Sequence, residues 1–299
     1  MAVALTSPTR EQMRARYPDE EGVVERDGVR VRWERYGTGG PTVLFLPTWS
    51  IVHSRLWKQQ LPYFARHGAA LTFDGRGNGR SDRPVGTSAY AEREFAADAL
   101  AVMDASGTER AAIVSLSAGA NWAALLAAEH PARVAGAVFV GPAVPLGQHA
   151  ARTVHAFDEP LDTDEGWAKF NRHYWLAHYG EFVEFFFAEV FSERHSTKQI
   201  EDCVGWALET DPETLASTHA GRVMLHDRDA FLRLCERIRC PVLVVHGTDD
   251  RIRPFSTGAA LAEATGGHLV ALEGAGHCPQ NRDPVRFNLL VREFVESLR

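Results

Sequence analysis

Short apolar runs alternate with helical patterns along most of this chain, and that alternation limits the fold more than any other feature. The clearest runs are Pro41–Thr48, Ala111–Leu116, Arg133–Gly141 and Cys240–Gly247. Nearly continuous apolar runs are typical of strands that are buried on both faces of a sheet. Strands that alternate with helices indicate a parallel sheet with helices on both faces. We therefore predict an α/β fold with a doubly wound, mostly parallel sheet.

Two parts of the chain depart from this rhythm. Residues 1–20 are polar and contain two prolines, which favours a flexible N-terminal arm. Residues 145–230 are rich in aromatic side chains and have helical patterns without a convincing buried strand, as expected of a helical cap inserted between two strands of the sheet. We therefore predict a core domain of residues 21–144 and 231–299.

Composition and charge exclude several classes of partner. The formal net charge is -7 and there is no basic block, so we expect no nucleic-acid partner. No window approaches the roughly 18 apolar residues of a membrane span, and the N-terminus lacks the basic start of a secretory signal. The four cysteines are scattered, as in a cytoplasmic protein with reduced thiols. The sequence gives no indication of the oligomeric state.

Polar residues that could act in catalysis follow several of the predicted strands. Ligand sites in open α/β sheets lie beyond the carboxyl ends of the strands, where Ser117, the Asp249-Asp250 pair and His277 are expected to meet. A serine hydroxyl becomes a nucleophile when a base removes its proton, and that base needs an acidic partner. The order serine, aspartate, histidine occurs in one fold that places its serine on a strand-to-helix turn.

Four segments in this order resemble the α/β-hydrolase fold superfamily, in the serine-nucleophile branch that carries a helical cap. They are VSLSAGA, DGRGNGRSDRP, HGTDDRIRP and EGAGHCPQNRDP, and the likeness covers nearly everything after residue 22. The resemblance implies that Ser117 is the nucleophile, His277 the base and Asp250 the acid, with Asp249 as the alternative acid. The plainer interpretations are a small residue at a crowded turn for Ser117, a core or helix-capping histidine for His277, and a helix N-terminal carboxylate for Asp250.

The resemblance also implies an oxyanion hole made by the backbone N–H groups of Trp49 and Ala118. The chain departs from the family pattern in two places. Ser115 occupies a position that is usually glycine, and Pro47-Thr48 replaces a frequent His-Gly pair.

A substrate pocket is expected near Thr48, His53 and Trp122, although a surface or structural role is favoured for His53. Asp74 and Arg76, in the second of the four segments, are expected to hold their loop together.

The sequence as a whole predicts a serine hydrolase that cleaves an ester, thioester or lactone of a mainly apolar small molecule through an acyl-enzyme. Neither a metal nor an organic cofactor is implied. An acyltransferase or cyclase and a carbon–carbon bond hydrolase would use the same triad, and both stay open as alternatives. A non-catalytic small-molecule-binding protein of the same fold is the alternative from another class.

Overall fold

A computed structural model describes residues 15–148, 155–195, 197–222 and 227–298. An eight-stranded sheet crosses the molecule in the order β1-β2-β4-β3-β5-β6-β7-β8. Its strands are β1 (Glu20–Arg26), β2 (Val29–Tyr36), β3 (Thr42–Phe45), β4 (Ala69–Phe73), β5 (Ala111–Leu116), β6 (Val134–Val140), β7 (Val242–Gly247) and β8 (His268–Leu272). β1 and β2 pair antiparallel, β2 joins β4 antiparallel, and every pairing from β4 to β8 is parallel. The prediction of an α/β fold with a mostly parallel sheet is confirmed.

Helices connect the parallel strands and continue beyond the last one. They are α1 (Leu61–Phe64), α2 (Glu92–Ala105), α3 (Gly119–Glu129), α4 (Arg172–Val190), α5 (Lys198–Ala207), α6 (Pro212–Ala220), α7 (Arg228–Cys235), α8 (Phe255–Thr265), α9 (Pro279–Arg282) and α10 (Pro284–Ser297). Short 3-10 turns cover Ser54–Trp57, Thr87–Tyr90 and Gly166–Lys169. α3 packs on β5 and β6, and α8 packs on β7 and β8. These contacts hold the strand ends that carry the candidate catalytic residues.

The burial of the strands follows the apolar patterns in the sequence. Every residue of β5 and of β7 is buried, as expected for inner strands covered by helices on both faces. The β1–β2 hairpin turns at Asp27 and Gly28, whose φ angles of 52° and 77° suit a turn with left-handed central residues. The inner strands are therefore mostly apolar, and the candidate catalytic residues Ser117, Asp250 and His277 follow strand ends.

The described residues between β6 and β7 form α4, α5, α6 and α7. We call residues 155–195 and 197–222 of this region the helical segment. The Asn171 side chain caps α4 and the Asp211 side chain caps α6, while Pro212 occupies the first turn of α6, where its missing N–H has no consequence. The predicted boundaries of a cap at residues 145–230, and of an N-terminal arm at residues 1–20, stay predictions, since residues 1–14, 149–154 and 223–226 lie outside the described residues.

Aromatic side chains join the helical segment to the core. The Trp49 ring, on the loop after β3, lies 6.0 Å from Phe170, 5.6 Å from Trp175 and 5.5 Å from Phe186. Its indole N–H donates to Thr218 Oγ1 at 2.8 Å. The helical segment therefore packs directly over the loop that the sequence assigns to the oxyanion hole.

Two further findings bear on the composition-based predictions. Across the described ranges, no helix combines the length and the hydropathy that a bilayer span requires. All four cysteines lie in those ranges and are free thiols.

Candidate active site

Ser117 lies on the turn between β5 and α3 with a left-handed backbone. Its φ of 52° is one of two positive values at non-glycine residues in the described chain. Such a conformation costs about 1–3 kcal/mol for a residue with a Cβ, and it clusters at functional sites. The turn is fixed by backbone hydrogen bonds on both sides, from Ser117 N–H to Val140 O and from Ala143 N–H to Ser117 O, each 2.9 Å. The serine is thus held in a strained position while its side chain stays partly exposed.

Small residues on either side make this turn possible. A β-carbon on Gly119 would lie 2.9 Å from the carbonyl oxygen of Pro47, so α3 approaches the loop after β3 too closely for a larger residue. Ser115 is fully buried, and its hydroxyl donates to Val138 O on β6 at 3.0 Å. That hydrogen bond satisfies the buried hydroxyl, which explains why serine is accepted where the family usually has glycine.

His277 and Asp250 form a buried hydrogen-bonded pair. The distance from His277 Nδ1 to Asp250 Oδ2 is 2.7 Å. Asp250 Oδ1 accepts the backbone N–H groups of Ile252 and Arg253, both at 2.8 Å. The aspartate side chain is therefore fixed from one side while it orients the imidazole from the other. Asp249, the alternative acid, is exposed.

A second histidine contacts the same carboxylate oxygen. His246 Nε2, at the end of β7, lies 3.0 Å from Asp250 Oδ2 and 3.2 Å from Arg253 O. Both neighbours are acceptors, so Nε2 carries a proton. Burial alone would raise the pKa of Asp250, but the charge of His277 and the hydrogen bonds from both histidines outweigh it and hold that pKa well below its ordinary value. His246 stands within one of the four family segments, but the sequence pattern assigned it no role.

The turn that carries Ser117 and the His277–Asp250 pair border the same short segment after β6. A β-carbon on Gly141 would lie 3.0 Å from His277 Nδ1 and 3.3 Å from Asp250 Oδ2. Gly141 directly follows Val140, whose carbonyl accepts the Ser117 N–H. Within the described chain the Ser117 hydroxyl makes no hydrogen bond to His277 or to any other group. Hydrogen bonds between catalytic groups often tighten only when substrate is bound.

Two hydrogen bonds fix the loop after β3 to the core of the protein. Trp122 Nε1 donates to Pro47 O at 2.9 Å, and Thr48 Oγ1 donates to Leu116 O at 2.8 Å. Trp122 is fully buried and stacks on Phe95 with a centroid distance of 4.6 Å. The structure therefore places Trp122 beneath the loop as a support, without surface that a substrate could touch. The Thr48 hydroxyl is likewise engaged with the backbone.

The two backbone N–H groups assigned to the oxyanion hole have no acceptor among the described residues. Trp49 is 6% exposed and Ala118 is fully buried. Buried backbone N–H groups without a partner are rare in native structures. An oxyanion hole requires donors of this kind, which stay free until substrate arrives.

His53 is buried between two acidic side chains and does not lie at the surface. Its Nδ1 is 3.7 Å from Asp74 Oδ1, and its Nε2 is 3.5 Å from Glu209 Oε1. Asp74 also accepts a hydrogen bond from the Ser54 hydroxyl at 2.6 Å and another from the backbone N–H of Arg80 at 2.9 Å.

Arg76 is fully buried and binds both oxygens of Asp98 at 2.7 Å. Asp74 and Arg76 therefore hold their loops together, as expected from the sequence.

Comparison with known proteins decides the family. The family model described as alpha/beta hydrolase fold matches residues 41–284, which is most of the chain. The chain belongs to the alpha/beta hydrolase family. The resemblance read from the sequence is thereby confirmed.

Three proteins that are similar to this chain indicate the chemistry of its relatives. The chain is 28% identical over 287 residues to the non-heme chloroperoxidase of Streptomyces lividans, covering 92% of this chain and 99% of that protein. It also superposes on Est816, described as an N-acyl homoserine lactone degrading enzyme, with a TM-score of 0.73 and 25% identity over 91% of this chain and all of that one. The esterase RhEst1 from Rhodococcus sp. ECU1013 gives a TM-score of 0.75 and 26% identity, covering 94% of this chain and 99% of the esterase. The prediction of an alpha/beta-hydrolase enzyme is confirmed at the level of the family.

Proposed function

We propose that the protein is a serine hydrolase that cleaves a carboxylic ester, thioester or lactone of a mainly apolar small molecule. The proposal rests on the strained backbone of Ser117, because a serine held at positive φ between a strand and a helix presents its hydroxyl beyond the sheet. The hydrogen-bonded His277–Asp250 pair and the unpaired N–H groups beside Ser117 support the same chemistry. Esterase and lactone-degrading activities among the relatives support the choice of substrate bond.

In this mechanism the Ser117 hydroxyl attacks the carbonyl carbon of the substrate. His277 Nδ1 faces Asp250, which leaves Nε2 to take the hydroxyl proton. The carbonyl electrons move onto oxygen, and the N–H groups of Trp49 and Ala118 hold that oxyanion. His277 then returns the proton to the leaving alcohol or thiol. Water repeats the sequence on the acyl-enzyme, which releases the acid and restores Ser117.

We also propose that residues 145–230 act as a cap over this site. The packing of Trp49 against aromatic residues of the helical segment supports the proposal, because Trp49 belongs to the loop that would supply an oxyanion N–H. Limited access for water would then influence whether water or another nucleophile resolves the acyl-enzyme.

The experiment compares hydrolysis of 4-nitrophenyl esters of increasing acyl length by the native protein, Ser117→Ala and Ser115→Ala. We expect Ser117→Ala to lose essentially all turnover. Ser115→Ala is the matched control, because it removes a hydroxyl two residues away that serves only the hydrogen bond to Val138. Turnover by folded Ser117→Ala equal to that of native protein would exclude Ser117 as the nucleophile.

The alternatives predict different outcomes of the same experiment. An acyltransferase would form the acyl-enzyme from the ester and pass the acyl group to an added alcohol faster than to water. A non-catalytic binding protein would bind the esters and turn none of them over. A hydrolase releases acid and alcohol in equal amounts, with a rate that depends on Ser117.

A further inference from the structure

Two arginines that the proposed mechanism does not use are buried beside the candidate site. Arg222, just after α6, is 4% exposed, and Arg253, three residues after Asp250, is 9% exposed. A buried arginine is ordinarily paired with a carboxylate, because removing its charge from water is unfavourable. Among the described residues, neither guanidinium forms an ion pair. Their Nε atoms are buried and have no hydrogen-bond partner in the described ranges.

Arg222 is held against the loop that carries the proposed oxyanion N–H of Trp49. Its guanidinium carbon lies 5.2 Å from the centre of the Trp49 ring. Its Nη2 is 2.6 Å from His219 Nδ1. Glu92 attracts the guanidinium, but within the described ranges the two do not form an ion pair. Arg222 is thus positioned by an aromatic face and by a histidine, and its guanidinium forms no ion pair with a carboxylate of the described chain.

Arg253 is fixed through its backbone to the acid of the proposed triad. Its N–H donates to Asp250 Oδ1 at 2.8 Å, and its carbonyl oxygen lies 3.2 Å from His246 Nε2. The side chain itself makes no hydrogen bond with a described residue. The Asp250 carboxylate already accepts hydrogen bonds from His246, His277 and two backbone N–H groups, so it does not also bind the Arg253 guanidinium.

Arg253 lies close enough to Arg222 for its charge to act on the Arg222 guanidinium. Burial and repulsion by Arg253 lower the pKa of Arg222 to about 9, although the attraction of Glu92 opposes them. Burial also lowers the pKa of Arg253 to about 10, against the attraction of Asp250. Both side chains therefore remain charged at neutral pH. Buried charges are unfavourable without an opposite charge to pair with, so an anion bound by both guanidiniums would offset the cost of their burial.

We propose that Arg222 and Arg253 form an anion-binding subsite of the active site, and that the acyl substrate carries a carboxylate which these two guanidiniums bind. The proposal rests on the proposed function, whose substrate class it narrows. The planar N–H fork of arginine matches a carboxylate. Arg222 packs on Trp49, whose N–H would hold the oxyanion, and Arg253 is anchored to Asp250, which orients His277. A mainly apolar acyl chain that ends in a carboxylate would satisfy the aromatic packing and the two charges together.

The kinetic experiment uses 4-nitrophenyl monoesters of succinate, glutarate and adipate, each compared with the neutral diester in which the free carboxylate is methylated. We expect the native protein to prefer at least one charged ester in kcat/KM. Arg222→Met and Arg253→Met keep side-chain length and remove the charge, and each should lower the charged-to-neutral ratio by about 10- to 100-fold. Arg251→Met is the matched control, because Arg251 is exposed in the same loop and, among the described residues, its side chain forms an ion pair only with Glu189, at 3.9 Å.

A binding experiment separates this proposal from the proposed function. Calorimetric titration of Ser117→Ala with glutarate and adipate should give saturable binding that weakens about tenfold when Arg253→Met or Arg222→Met is added, and that Arg251→Met leaves unchanged. Arg253→Lys, which keeps the charge, should retain part of the affinity and shows that a loss in Arg253→Met does not come from misfolding.

Each outcome counts for or against the subsite. Equal dicarboxylate affinity in native protein and folded arginine variants, or no dicarboxylate binding at all, would overturn it even if the neutral esters are hydrolysed. Arginine-dependent binding without hydrolysis of any ester would support the subsite and refute only the proposed function.

Discussion

Replacing Asp250 by asparagine removes one charge and almost no volume, so it tests the proposed acid directly. The asparagine side chain in Asp250→Asn can still accept the N–H groups of Ile252 and Arg253 through its remaining oxygen. Its NH2 group would then take the place of Oδ2, which lies 2.7 Å from His277 Nδ1 in the native protein. The amide NH2 and the imidazole N–H are both hydrogen-bond donors, so they would repel each other. The imidazole must turn or change tautomer, which leaves Nε2 unable to take the Ser117 proton. We expect kcat to fall while the protein stays folded.

The size of the effect follows from the geometry of the pair. In the proposed mechanism, His277 becomes positively charged during acylation, beside the buried carboxylate of Asp250. Two unit charges about 4 Å apart at an effective dielectric constant of about 20 attract by about 4 kcal/mol. Since each 1.36 kcal/mol is a factor of ten in rate, the lost attraction alone accounts for about a 1,000-fold decrease. The unfavourable tautomer adds to this, and a total of about 10,000-fold agrees with the same substitution in other triads.

The assay is kcat/KM for the best 4-nitrophenyl ester, with Asp249→Asn as the matched control. Asp249 is the neighbouring aspartate and is exposed, and its backbone rather than its side chain contacts Ala275, so its substitution should change kcat/KM less than twofold. A folded Asp250→Asn with more than a tenth of native activity, or a larger loss in Asp249→Asn, would refute this reasoning.

Two further predictions concern stability. His246→Phe removes a donor from Asp250 Oδ2 and should lower the free energy of unfolding by about 1–3 kcal/mol, measured from urea midpoints, whereas His246→Gln keeps a donor and should lose less. Glu34 accepts two hydrogen bonds from Arg55 at 2.8 and 3.1 Å, and although burial opposes it, this arginine holds the pKa of Glu34 well below its usual 4.5. Because that folded pKa is lowered, the contribution of Glu34 is fully present above about pH 4.5 and is lost as pH falls through the folded value. Glu34→Gln should lower the free energy of unfolding by about 3–5 kcal/mol at pH 7, because it leaves Arg55 buried without its counter-charge.

Controls for these two predictions come from the same elements. Glu21→Gln removes an exposed carboxylate on β1 and should change stability by less than about 0.5 kcal/mol. Equal urea midpoints for His246→Phe and native protein would show that the second histidine does not stabilise Asp250. A native urea midpoint that stays constant from pH 7 to pH 3 would contradict the account of Glu34.

Much of the sheet was predictable because local pattern and burial agree. The predicted run Ala111–Leu116 is β5 residue for residue. The Asp27-Gly28 dipeptide is also a strong local signal for a hairpin turn, since few other residue pairs accept two positive φ values, and the β1–β2 turn forms there. In these elements the sequence signal and the tertiary environment favour the same structure.

Other features depend on contacts that a sequence pattern does not contain. Trp122 was expected near a pocket, but its N–H donates to the Pro47 carbonyl, 75 positions away in the sequence, and its ring lies in the core. His53 is buried between Asp74 and Glu209, a pairing across the core and the helical segment that no local spacing indicates.

The roles of His246 and of the two buried arginines could not be predicted from the sequence either. His246 stands in the quoted motif HGTDDRIRP, but its contact with Asp250 depends on how the loop after β7 folds back. Arg253 stands in the same motif, but neither it nor Arg222 matches a pattern that predicts burial, and their lack of an ion pair among the described residues is visible only in the structure. Charge balance in a buried site is a tertiary property, so it escapes motif analysis.

The central claim is that Ser117 is an activated nucleophile, and covalent labelling tests it most directly. Native protein is treated with a fluorophosphonate, digested, and the modified peptide is identified by mass spectrometry. We predict a single stoichiometric adduct on Ser117, formed at least 100-fold more slowly in Asp250→Asn. A native protein that stays unlabelled, or an adduct on another residue with Ser117 unmodified, would contradict the account.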